Sequence, residues 1–199
     1  MREFIRYFNE NSRPGIRRID RNTIDHREGR EFFIEDSHDR SVFWEGDSVE
    51  NPRYAEFNCF KVRSEIDMTC SLWPIDGQYV RRGNRLSETF PKKCDCAFGT
   101  ENYLGLVEFK TNSFSENPIS IKDNQEKAYN QLKDMVNYLK YCMQIPNENY
   151  FSILEYKVEA FICAPPHYPR KSATMDQLSI RFLEEVGIEL FQRNHKDFE

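Results

Sequence analysis

A strand–helix–strand unit in the second half of the chain constrains its fold most. From about Asp123 to Met143 the apolar residues Ala128, Leu132, Met135, Val136, Leu139 and Met143 recur at the 3.6-residue period of an amphipathic helix. Asp123 as N-cap with Glu126 at N3 reads as a capping box. After it, Val158 to Ala164 forms an apolar run of strand length, closed by Pro165 and Pro166. A helix joining two strands is a crossover, which favours a mixed sheet with helices on its faces.

The neighbouring segments extend this pattern. Residues 93–98 and 104–111 read as strands, and 112–122 as a polar loop containing Pro118. Asp176 to Val186 reads as a second helix, with Leu178, Phe182, Leu183 and Val186 inward and Gly187 as its stop. Ile188 to Gln192 supplies a last strand. Upstream, Met1 to Phe8 is expected to form a short helix. Arg30 to Asp36 and Ser41 to Glu45 are expected to be strands around a turn at 37–40. Tyr54 to Arg63 fits neither period, and residues 71–90 read as turns with a short strand near 78–80. The class is therefore α/β, a central mixed sheet flanked by helices with a β-rich N-terminal extension. The 199 residues suit a single domain, with 1–75 as the extension and 76–199 as the core.

Composition narrows the function. No apolar run reaches the roughly 18 residues that cross a bilayer, and the N-terminus lacks a signal-peptide core, so a cytoplasmic protein without a membrane partner is expected. The six cysteines are then expected to be reduced. Cys94 and Cys96 are expected to share a face away from Asp95 as small core residues. A zinc-stabilised binding domain on Cys59, Cys70, Cys94 and Cys96 is the alternative. No Walker loop, Gly-rich dinucleotide turn or paired-histidine zinc motif is present; His26, His38, His167 and His195 are scattered. The net charge of −5 does not advertise nucleic-acid binding, but the basic residues cluster. Arg13, Arg17, Arg18, Arg21, Arg27 and Arg30 form one run; Arg81, Arg82, Arg85, Lys92 and Lys93 form another, just before Asp95. Each reads either as a solvated surface run or, for the second, as a phosphate-contacting strip. Arg170 and Lys171, after the 158–164 strand, read as phosphate contacts or a plain turn.

The chemistry concentrates at Asp95 and at Glu108-Phe109-Lys110. Strand alternation puts Glu108 and Lys110 on one face and Phe109 on the other. A hairpin of the two strands would bring Asp95 beside them. Two carboxylates and an amine on one face invite a divalent cation; the alternative is an ordinary cross-strand charge cluster. A second Glu-x-Lys triplet, Glu155-Tyr156-Lys157, has no acid one hairpin upstream and reads as a decoy.

The pattern Asp95-x(12)-Glu108-Phe109-Lys110 between two strands resembles the signature of the PD-(D/E)xK nuclease superfamily. Cys94 stands where the family often has proline, and the resemblance covers about Leu86 to the C-terminus. It implies a restriction-endonuclease-like core in the order helix, three strands, helix, strand, of which the first helix is not placed by the sequence. It implies Mg²⁺ or Mn²⁺ held by Asp95, Glu108 and the Phe109 carbonyl, with Lys110 orienting water or offsetting phosphate charge. Ala128-x-x-Gln131-Leu132 resembles a family pattern in which the glutamine points back to the site; an exposed helix former is the alternative for Gln131. An upstream acid often completes the family's ligand set, and Glu65 is preferred to Glu88 for it; a plain surface acid is the alternative for either. The resemblance implies hydrolysis of nucleic-acid phosphodiesters, DNA before RNA, leaving 5′-phosphate ends. A homodimer or a protein partner that supplies DNA affinity also fits. The alternative function is a nuclease-like module that binds nucleic acid or protein without cutting.

Overall fold

Runs that are apolar at every position, not at alternate ones, mark strands covered on both faces, and they form the centre of this sheet. The computed structural model describes residues 1–14, 16, 18–37, 40–44, 59–75, 93–111, 115–143, 156–165, 167–169 and 172–199. The expected strand at 78–80, Glu88, Glu155, Arg170, Lys171 and most of the second basic run lie outside the described residues.

The elements are α1 (Arg2–Asn11), a 3-10 turn (Arg21–Thr23), β1 (Asp25–Asp36), β2 (Ser41–Phe43), β3 (Cys59–Pro74), β4 (Cys96–Gly99) and β5 (Tyr103–Phe109). There follow α2 (Pro118–Cys142), β6 (Lys157–Cys163), α3 (Ala173–Val186), β7 (Glu189–Gln192) and β8 (His195–Phe198). Among the described residues the strands form one mixed, open sheet in the order β2-β1-β3-β4-β5-β6-β7, with β8 paired to β3. The β1 to β5 pairings are antiparallel; β5 with β6, β6 with β7 and β3 with β8 are parallel. The crossover expected from the sequence is α2, between the parallel strands β5 and β6.

One face of β5 and β6 (Leu104, Leu106, Ala160, Ile162) packs on Phe4 and Phe8 of α1, on Ala128, Leu132 and Val136 of α2, and on Leu178 and Phe182 of α3. The other face (Val107, Phe109, Phe161, Cys163) is covered by Phe32, Ile34, Phe60 and Val62 of the N-terminal strands. Phe60 lies 5.0 Å from Phe161 and 5.2 Å from Phe98, ring centre to ring centre, within the range of favourable aromatic pairs. Gly105 pairs with Phe98 across β4 and β5, and a Cβ there would come within 2.2 Å of the Phe98 ring. Gly105→Ala is therefore expected to destabilise the fold by about 1–3 kcal/mol in urea denaturation; an unchanged midpoint would show that the ring moves freely.

Several sequence expectations need correction. Helix α2 starts at Pro118, not Asp123: Asn117 caps it, its side chain accepting the Ile119 amide at 2.9 Å, and Pro118 needs no N–H in the first turn. Glu126 serves no capping box and instead pairs with Arg181 of α3 at 2.7 Å. Leu183 is 50% exposed, not inward. Cys94 and Cys96 fall in opposite cores, because the extended strand begins only at Cys96 and alternation does not reach Cys94. β3 is a long strand where the sequence read turns after residue 70, and β8 was not expected. Gly187 does end α3, with φ 80°. No described helix is long and apolar enough to cross a membrane.

Candidate active site

The chain bends at Asp95, and β4 begins at the next residue. Two bonds fix this bend. The Asp95 carbonyl accepts the Ile75 amide at 2.9 Å, and the Asp95 carboxylate accepts the Phe109 amide at 2.5 Å. Cys96 pairs with Val107, so the hairpin sets Asp95 across from the last residues of β5. Beyond β5, the Lys110 amide donates to the Cys163 carbonyl at 2.7 Å, anchoring Lys110 to the end of β6.

Alternation along β5 does the rest. Leu104 and Leu106 face the helices, as does Glu108, while Phe109 faces the opposite core. Glu108 is 1% exposed. One of its oxygens accepts from the Lys110 ammonium; the other is buried without a hydrogen-bond partner. Lys110 also donates to the Gln131 side-chain oxygen at 3.3 Å, and the Gln131 amide nitrogen donates to the Lys93 carbonyl at 3.1 Å. Gln131 thus ties α2 to the segment before Asp95 and to Lys110 at once. The expected quartet of Asp95, Glu108, Lys110 and Gln131 is brought together at one end of the β4–β5 hairpin.

Burial pushes the Glu108 carboxyl up to about 8; the negative charge of Asp95 adds to this, and Lys110 opposes it. Asp36, the last residue of β1, acts on Glu108 in the same direction as Asp95. Sequence reasoning did not connect Asp36 to this site, since seventy-odd residues separate it from Glu108 and only sheet pairing relates them.

Glu65 is not brought to the site, contrary to expectation. It lies exposed on β3, nine residues before Pro74, which pairs with Cys96. That is roughly 30 Å of extended chain from the Asp95 end. Among the described residues no group of three or more His, Cys, Asp or Glu side chains is placed to enclose a metal ion, so neither the four cysteines nor Asp95 and Glu108 with a third acid form such a group. The six cysteines are buried and unbridged. The residues present still suit a cation in one respect. An unbonded carboxylate oxygen buried beside a second acid is costly by itself and is relieved by a positive charge.

Compared with family models, curated proteins and solved structures, the chain matches none.

Proposed function

We propose that this protein is a metal-dependent nuclease of the PD-(D/E)xK type that hydrolyses phosphodiester bonds, with DNA as the preferred substrate. The convergence of Asp95, Glu108, Lys110 and Gln131 on one hairpin end carries this reading. The order of elements supports it: helix α1, the antiparallel strands β3, β4 and β5, helix α2 and the parallel strand β6 follow the sequence expected of a restriction-endonuclease-like core, with β1 and β2 inserted after α1.

Asp95 and Glu108, with the Phe109 carbonyl, would hold Mg²⁺ or Mn²⁺, which when bound polarises the scissile phosphate and lowers the pKa of water. Lys110 has three N–H donors, two of them directed at Glu108 and Gln131. The third is left for a phosphate oxygen or the attacking water, where developing negative charge makes it count most. Gln131 holds the Lys110 ammonium from the side of α2. The Asp95 carboxylate, by taking the Phe109 amide, keeps the two strand ends in register.

The test is incubation of the protein with single- and double-stranded DNA and RNA in Mn²⁺ or Mg²⁺. Cleavage of DNA with 5′-phosphate ends is expected. No cleavage of any substrate, together with no Mn²⁺ binding in a titration, would overturn the reading in favour of a non-cutting module. Gln131→Ala is expected to slow cleavage about 10–100-fold, as loss of a supporting hydrogen bond does at other metal sites, with an unchanged unfolding temperature. Full activity in Gln131→Ala would reduce Gln131 to a helix former.

A further inference from the structure

Arg21 of the first basic run takes no part in the site above and meets Arg2 and Arg6 of α1 in one place. A cavity of about 460 Å³ between α1 and the start of β1 is lined by Arg2, Arg6, Arg21 and His26 over Ile5 and Ile24. Its single acid is Glu3, which is already paired with Arg6. The side chains of Arg2 and Arg21 make neither an ion pair nor a hydrogen bond among the described residues. Elsewhere on the sheet, exposed arginines have carboxylate partners: Arg30 with Asp67 and Arg63 with Asp197, each at 3.1 Å. An adjoining cavity of about 690 Å³ shares Arg2, Glu3 and His26 but adds Glu28, Glu101 and Glu199. The uncompensated positive charge therefore lies on the smaller side.

Three guanidinium groups gathered around a single carboxylate leave positive charge uncompensated, and a planar fork of N–H donors suits a phosphate. We infer that the cavity lined by Arg2, Arg6, Arg21 and His26 is a phosphate-anchoring site for a nucleic-acid strand, distinct from the Asp95–Glu108 end of the sheet. It rests on the nuclease reading only for the choice of phosphate carrier. The geometry permits one nucleic acid to touch both places. His26 pairs with Ser71, and Ser71 with Gly99, four residues along β4 from Asp95. At the usual rise and strand spacing the two sites are roughly 15–20 Å apart, less than the roughly 34 Å of one duplex turn.

The experiment measures duplex DNA binding by anisotropy in EDTA across a salt series, using the full chain. Arg2→Gln/Arg21→Gln is compared with Arg30→Gln/Arg63→Gln, which removes the same charge from already paired positions. The anchor predicts about tenfold weaker binding for the first double variant and a salt slope smaller by about two, with the control near wild type. Equal effects of the two double variants, or no DNA binding by the wild type, would overturn it. The two readings separate cleanly. Wild type that cuts, while Arg2→Gln/Arg21→Gln binds normally, sinks the anchor and keeps the nuclease. Arginine-dependent binding by a wild type that never cuts keeps the anchor and sinks the nuclease.

Discussion

Asp95→Asn and Lys110→Ala are each expected to reduce DNA cleavage by at least about 10²–10³-fold, the usual cost of removing one group that stabilises transition-state charge. The two variants should fail for different reasons. Asp95→Asn keeps a side-chain oxygen for the Phe109 amide, so the bend before β4 and the unfolding temperature are retained while a negative charge is lost. Mn²⁺ binding should vanish with it. Lys110→Ala removes a donor and leaves both acids, so Mn²⁺ binding should persist or tighten while cleavage is lost. Asp95→Ala is the poorer probe: it strands the Phe109 N–H, a defect of about 1–3 kcal/mol that confuses folding with chemistry. Calorimetric Mn²⁺ titration beside a cleavage time course distinguishes these outcomes. Wild-type cutting by Asp95→Asn would remove Asp95 from the chemistry and leave it a purely structural acceptor.

The hairpin site was legible because its parts are local. Asp95, Glu108 and Lys110 lie within one strand–turn–strand unit, where alternation dictates which side chains meet. Gln131 was legible only through the resemblance of Ala128-x-x-Gln131-Leu132 to a family pattern, and α2 does carry it to Lys110. The failures are of two physical kinds. Boundaries moved where one residue decides them: Asn117 caps the helix and Pro118 begins it, although both look like loop residues in isolation. Longer-range relations were invisible because no local period encodes them. The acid chosen by spacing, Glu65, sits on the far part of β3, whereas Asp36, whose charge reaches Glu108, lies in a strand read only as an extension. The same holds for the N-terminal strands as a whole. Their apolar residues Phe32, Ile34, Phe60 and Val62 cover the second face of β4 to β6, and only the assembled sheet reveals this.

Glu108→Gln should make the metal-free protein more stable at alkaline pH, by about 1–3 kcal/mol above pH 8. The folded protein holds the Glu108 proton up to about pH 8, because burial and the Asp95 charge outweigh Lys110, whereas the unfolded chain releases it near 4.5. A group raised in this way contributes its full stability below the unfolded value and loses it as pH rises through the folded one. Wild type should therefore weaken between about pH 4.5 and 8 through this residue, and Glu108→Gln should lack that part of the slope. At pH 4 the two proteins should unfold at similar urea concentrations; at pH 9 the variant should need more. Saturating Mn²⁺ should reverse the order at pH 9, since a cation that binds only the folded, ionised site stabilises wild type and not the variant. Urea denaturation at pH 4, 7 and 9, with and without Mn²⁺, reads both effects. A variant less stable than wild type at every pH would mean that Lys110 dominates and that Glu108 is ionised throughout. On the nuclease reading, buried acid and cation affinity have one origin: a carboxylate that burial disfavours in its ionised form is one whose charge a divalent ion would offset.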